Sequence, residues 1–366
     1  MKTTQQLHAL GQSLWLDNIT RGLLTSGALQ RYITEYSVTG LTSNPTIFDK
    51  AIRDADFYDA AIQRKTAAGT SGKALFFELA LEDLTQAADL FRPVHDATDG
   101  IDGWVSLELS PLLADDTAGS IKAAVELHAR AQRPNLFIKI PGTPAGIPAI
   151  EEAIFAGVPI NVTLLFSREQ YTAAAEAYMR GIERRLAAGL APRVDSVASL
   201  FVSRWDVAVK DKVPQPLRNR LGIAIAKRTY KAYRDRLVSS RWLELANAGA
   251  RPQRLLWAST GTKDPAAADT LYIEALAAPD TINTLPEKTL LAFAEHGRVG
   301  RELPADGGDA EAQLAEFARA GVNAEALAAE LQREGTRSFE KSWNDLLECL
   351  TTKSARLEKT AQTKGR

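Results

Sequence analysis

The chain has 366 residues, 45% of them apolar, and its 44 Lys+Arg against 45 Asp+Glu leave a formal net charge of −1, so no bulk attraction to nucleic acid or an acidic membrane is expected. No stretch approaches the roughly 20 apolar residues of a bilayer span, and one cysteine, Cys349, excludes an intrachain disulfide and fits a reducing compartment. His8, His95, His128 and His296 show no metal-ligand spacing, and the N-terminus has no export pattern, so a cytosolic protein without a histidine metal site is expected.

Short apolar runs then recur along the chain. Residues 14–17 form a first expected strand, ending in Asp17, and residues 37–41 a second, running into Asn44-Pro45, a turn signal. Residues 46–102 have room for two or three inserted helices. The clearest, 73–91, should stop at Arg92, because a residue before proline avoids the helical conformation. A third strand covers 104–109 and carries Glu108 between leucines. A helix over 120–132 leads to strand 136–140, which carries Lys139 between isoleucines. Strand 160–165 puts Asn161 and Thr163 on one face. A helix over 168–188 precedes strand 194–202, with Arg204 just past its end, and one long helix is expected over 215–248. Strand 255–258 opens into a Ser259-Thr-Gly261-Thr-Lys263 loop, and residues 281–284 give the eighth strand. In the tail, Leu314, Phe317, Leu327 and Leu331 suggest helices. Phe339, Trp343, Leu346, Leu347 and Leu350 form a helical stripe expected to pack on the barrel. Residues 351–366 are polar and basic and should fray.

Strand and helix alternating eight times predict an α/β fold, a single closed (β/α)8 barrel over 1–366. Residues 46–102 are an insertion between strands two and three, and 305–350 are C-terminal helices. An open doubly wound sheet is the alternative, weakened because no G-x-G-x-x-G opens the first βα unit.

Barrel chemistry sits at the C-terminal strand ends. Lys139 shares a face with Phe137; if that face is the interior, desolvation favours a neutral, nucleophilic amine that can form an imine. Alone, such a lysine is more often a strand-end residue that snorkels to solvent. Asp17 serves equally as a general acid/base or as a helix N-cap. Asn44 caps its loop or binds a substrate hydroxyl. Glu108 needs a partner if buried, and Lys139 on the next strand would supply it, for stability alone or for proton transfer. Asn161 and Thr163 imply a polar pocket or a satisfied network. Small residues after strand seven, with Lys263 and a forked contact from Arg204, suit a phosphate.

Three segments together resemble the transaldolase family: GLTSNPTIF at 40–48, FIKIPGT at 137–143 and GVPINVTLLFS at 157–167. The resemblance runs from about Leu14 to Ser259. It implies a lysine Schiff base, of the class I aldolase kind, between Lys139 and C2 of a ketose phosphate. Asp17 would take the C4 hydroxyl proton, and Glu108 and Thr163 would hold the water that shuttles protons. Asn44 and Asn161 would hold the dihydroxyacetone hydroxyls, with Ser199 lining the site and Arg204 and Ser259 on the phosphate. Where many members carry arginine two residues after the equivalent of Ser259, this chain has Gly261, so Lys263 is expected to be the phosphate cation. The implied reaction moves a dihydroxyacetone unit from sedoheptulose 7-phosphate to glyceraldehyde 3-phosphate in the pentose phosphate pathway. The partners are sugar phosphates, no metal or organic cofactor is implied, and a homodimer is an option. An aldolase releasing free dihydroxyacetone and a non-catalytic sugar-phosphate binder are the competing readings.

Overall fold

The computed structural model describes the backbone of residues 1–364 and the side chains of residues 1–360. Its strands are β1 (Ser13–Leu16), β2 (Val38–Thr42), β3 (Trp104–Glu108), β4 (Leu136–Pro141), β5 (Ile160–Leu165), β6 (Ser196–Phe201), β7 (Arg254–Ala258) and β8 (Ile282–Leu285). They pair in chain order and close into a barrel. Every pairing is parallel, including the closing β1–β8 ladder. The expected barrel is therefore the fold, with strand ends within two residues of expectation. Of all strand residues only Arg254 escapes full burial. Helices cover the outer face and side chains fill the lumen, which is why the strands are nearly continuous apolar runs.

The lumen is layered. Near the N-terminal strand ends Trp104 stacks on Phe137 at 4.0 Å between ring centroids, and Trp15 lies 6.2 Å from Phe137. Val197, Leu256 and Ile282 complete this apolar floor. Gly40 makes room for it: a Cβ there would lie 2.7 Å from the Trp15 indole and 2.7 Å from the Trp104 carbonyl oxygen. Two or four residues further along, strand alternation returns side chains to the same lumen. These are Glu108 after Trp104, Lys139 after Phe137, Ser199 after Val197 and Thr284 after Ile282. A dry floor thus sits beneath a polar layer at the C-terminal mouth.

Two helix expectations are corrected. The inserted helix spans Gly72–Ala97 and runs through Pro93 instead of ending at Arg92. Its last turn is held by the Thr98 hydroxyl on the Val94 carbonyl at 2.9 Å and by His95 packed edge-on against Trp104 at 5.2 Å. Those contacts outweigh the local bias against helix before proline. The single helix expected over 215–248 is a 3-10 turn, Gln215–Leu217, followed by Leu221–Leu237 and Ser240–Asn247. Ser239 breaks it by accepting the Trp242 N–H as an N-cap at 3.3 Å.

The C-terminal region departs furthest. Helix Ala310–Arg319 is followed by one helix of 41 residues, Ala324–Lys364. Fraying from Thr351 is not observed across the described residues. Lys353 buries its stem and donates to the carbonyls of Ile52 (2.7 Å) and Ala55 (2.6 Å), with Asp59 at 2.8 Å. A basic residue that looks solvated in sequence is thus an internal tie. Trp343 packs on Phe76 at 5.0 Å and on Phe77 at 5.7 Å, rings of the inserted helix rather than of the barrel. Earlier in the same helix, Gln332 donates to the carbonyls of Gly142 (2.9 Å) and Leu164 (3.0 Å) at the barrel mouth. Leu164 has φ of +57°, and the β5–β6 register shifts beside it. Gln332 thus satisfies the carbonyl of a strained bulge.

Candidate active site

Lys139 of β4 and Glu108 of β3 are register partners. Partners on adjacent strands project to the same side, and here their ends meet. Lys139 Nζ donates to Glu108 Oε2 at 3.0 Å and to the Ser43 carbonyl at 3.0 Å. Each side chain is only 6% exposed. The lysine does not snorkel to solvent. Burial pushes the Glu108 carboxyl above the usual range, while the Lys139 ammonium pulls it back and Asp17 adds to the rise.

Asp17 follows β1, with its N–H on the Leu285 carbonyl at 2.7 Å. It is not a helix cap; Thr20 takes that role through the Leu23 N–H at 2.9 Å. The Asp17 carboxylate accepts from the Thr42 hydroxyl at 2.8 Å, and Thr42 shares a 2.7 Å hydrogen bond with Thr284. Burial raises the Asp17 pKa, opposed by the charges of Lys139 and Lys263 and by the Thr42 hydrogen bond. Part of its surface opens into the mouth, yet dense protein surrounds it, so desolvation dominates.

Asn161 is the register partner of Lys139 on β5. Its amide nitrogen donates to Ser106 Oγ at 3.1 Å, and its oxygen accepts from Ser199 Oγ at 2.7 Å. Two residues on, the Thr163 hydroxyl is buried and has no hydrogen-bond partner among the described residues. A buried hydroxyl without a partner is costly; beside Lys139, it is an open position for a reacting group or water. Asn44 caps helix Pro45–Arg53 through Oδ1, which accepts the Ile47 N–H at 3.1 Å, and still lines the mouth.

Further out, Ser203 and Ser259 share a 2.9 Å hydrogen bond between hydroxyls, and Ser259 has φ of +55°. Arg204 begins the second position of helix Ser203–Val209, and burial lowers its pKa, partly offset by Glu108. One cavity of about 120 Å³ is lined by Asp17, Asn44, Lys139, Thr163, Ser199, Arg204, Ser259 and Lys263. Glu108 and Asn161 stand behind it, bonded to Lys139 and Ser199.

The same cavity is lined by Gly261 of the small-residue loop and by Thr42, Phe201, Thr284 and Phe339, four residues that the sequence does not mark for the site. Thr42 lies inside the GLTSNPTIF segment and could have been found there. Phe339 carries no sequence signal for the mouth, since its spacing marks only an apolar stripe. A larger cavity, about 720 Å³, opens at the opposite, N-terminal end of the barrel. Its two arginines are paired within it, Arg251 with Asp195 at 3.5 Å and Arg254 with Asp102 at 3.5 Å, and none of the candidate site residues lines it. Among the described residues no cluster of three or more His, Cys, Asp or Glu could hold a metal, and no helix is long and apolar enough to cross a membrane.

The chain as a whole has known relatives. The sequence model of the Transaldolase/Fructose-6-phosphate aldolase family matches residues 14–350. A protein of Thiobacillus denitrificans named transaldolase is 44% identical, over 95% of this chain and 99% of its own length. A transaldolase of Saccharopolyspora erythraea is 43% identical over 95% of this chain and 97% of its own length. One of Mycobacterium bovis is 42% identical over 93% and 94%. With a match of that extent over one barrel, the chain belongs to the transaldolase/fructose-6-phosphate aldolase family.

Proposed function

We propose that this chain is a transaldolase that transfers a dihydroxyacetone unit from sedoheptulose 7-phosphate to glyceraldehyde 3-phosphate, giving erythrose 4-phosphate and fructose 6-phosphate. The observation that carries this reading is the buried Lys139 amine, 3.0 Å from Glu108, in a mouth that also holds Asp17.

In this reading the Lys139 amine, after giving a proton to Glu108, attacks C2 of the ketose. Loss of water leaves an iminium. Asp17 takes the proton of the C4 hydroxyl, the C3–C4 bond breaks, and its electrons move into the iminium. The aldose leaves, and the three-carbon enamine stays on Lys139 until a second aldose adds. Glu108 and the open Thr163 hydroxyl support the handling of water in imine formation and hydrolysis. Asn44 and Ser199 line the three-carbon end, and Asn161 orients Ser199. Arg204, Ser259 and Lys263 supply the cations and hydroxyl for phosphate.

A cytosolic setting goes with this reading, in keeping with one half-buried thiol. The apolar stripe of the C-terminal helix is used inside the chain, so a homodimer would need another surface. Borohydride reduction with fructose 6-phosphate, followed by peptide mass analysis, tests the reading. An adduct on Lys139 is expected, and its absence sinks the catalytic assignment. Running the assay with and without an acceptor aldose separates transfer from release of free dihydroxyacetone.

A further inference from the structure

We infer that the C-terminal helix supplies a positioning residue to the phosphate end of the site: Phe339 holds the Arg204 guanidinium in place, and Gly335 leaves the room it needs. The inference rests on the proposed sugar-phosphate reading of this mouth.

Among the described residues the Arg204 side chain has no ion pair or hydrogen bond, although its guanidinium has five donors; Glu108 and Glu334 act on it only as nearby charges. A partly buried guanidinium whose donors meet no acceptor is unfavourable, so the geometry anticipates an anion in direct contact, which the substrate would bring. Two aromatic rings flank it instead. The guanidinium carbon lies 5.3 Å from the Phe201 ring centroid and 5.8 Å from that of Phe339. Ring faces attract the cation without occupying its N–H edge, so the fork keeps its donors for phosphate.

The helix that brings Phe339 is placed with some care. Gln332, Gly335 and Phe339 are spaced by three and four residues and share one helix face. Gln332 pins that face to the Gly142 and Leu164 carbonyls. Gly335 lies well inside a 41-residue helix, where glycine costs about 1 kcal/mol against alanine. A Cβ there would come 2.9 Å from Leu164 Cδ2 and 3.3 Å from Arg204 Nη1. The glycine lets the helix approach the mouth without displacing the arginine. Phe339 is 5% exposed and lines the cavity, so it stands between the helix and the substrate.

The test uses the full chain and inorganic phosphate as the probe, with Kd read by calorimetry. Phe339→Leu should weaken phosphate binding by roughly 3- to 30-fold, and Phe339→Tyr should restore it. In an Arg204→Met background Phe339→Leu should have no further effect, because Phe339 acts through Arg204. Borohydride trapping of unphosphorylated dihydroxyacetone on Lys139 should fall by less in Phe339→Leu than phosphate affinity does. Gly335→Ala, which removes no core volume, should also weaken phosphate binding, and it serves if Phe339→Leu does not fold. Unchanged phosphate affinity in Phe339→Leu, or an equal loss in the Arg204→Met background, overturns the inference. So does a matching loss of dihydroxyacetone trapping, which marks Phe339 as a general support of the fold. Wild-type protein that binds phosphate but forms no adduct on Lys139 would instead fail the transaldolase reading and leave the phosphate measurements to decide this one.

Discussion

Glu108 and Lys139 face each other across the β3–β4 pairing with 3.0 Å between carboxylate oxygen and ammonium nitrogen. Replacing one member of a buried pair strands the other charge. Glu108→Gln keeps a polar neighbour for the amine but removes the proton acceptor. It should lower kcat by about 10²–10⁴ with a modest change in stability, whereas Glu108→Leu should also destabilise by about 3–5 kcal/mol. Steady-state kinetics and urea denaturation on both variants check this. Full activity in Glu108→Gln would reduce the pair to a structural contact.

Asp17 is assigned to bond cleavage rather than to imine formation. Asp17→Asn should still be trapped by borohydride on Lys139 with fructose 6-phosphate, while turnover falls by about 10²–10⁴. Burial holds the Asp17 pKa above its ordinary 3.8. In the proposed mechanism its base form is the active one, so the acid limb of the wild-type kcat profile should lie above that value. A variant that loses trapping and turnover together would contradict the division of labour.

In the proposed reading Lys263 is a phosphate cation. It is exposed at the rim of the cavity and acts on Asp17 as a nearby positive charge. Lys263→Ala should raise KM for phosphorylated substrates by roughly 10-fold, in the range of one charge-assisted hydrogen bond, with kcat little changed. An unchanged KM would leave the phosphate to Arg204 and Ser259 alone.

Asp206 offers a pH test beside the site. Its carboxylate accepts the Leu221 N–H at 2.8 Å and the Tyr272 hydroxyl at 2.8 Å, and burial pushes its pKa up to about 6 from 3.8. The folded state therefore keeps this proton to higher pH than the unfolded chain does. The associated stability is complete below the ordinary carboxylate pKa and is lost as pH rises through about 6. The total is about 3 kcal/mol for a shift of this size. Asp206→Asn should flatten the decline in stability between about pH 4 and pH 6. Denaturation curves across that window decide it; an unchanged slope assigns the decline to other groups.

Lys353 ties the end of the long helix to the inserted helices through two carbonyls and Asp59. Lys353→Met keeps the apolar stem but leaves those acceptors without a donor. A loss of about 2–4 kcal/mol is expected, measured by chemical denaturation. A variant as stable as wild type would show that water replaces the ammonium there.

The barrel was legible in the sequence because burial on both faces leaves apolar runs of strand length, separated by helical periods. Lys139, Glu108, Asn161 and Thr163 were legible because they interrupt such runs on the alternation that faces the lumen. What escaped notice depended on contacts distant in sequence. Pro93 sits inside a helix because His95 finds Trp104, and Lys353 is buried because Ile52 and Ala55 offer carbonyls. Phe339 has the same helical spacing as Trp343, yet one lines the mouth and the other packs on Phe76. Periodicity gives the face of a helix, and only the path of the chain says what that face meets.

That path also sets an order of assembly. Lys139 and every strand of the barrel precede the Ala324–Lys364 helix in the chain and are synthesised before it. A barrel closed without that helix would bury Lys139 against Glu108 and still leave Arg204 without one of its two rings. In the proposed reading, recognition of a sugar phosphate therefore depends on the Ala324–Lys364 helix and not on closure of the barrel alone.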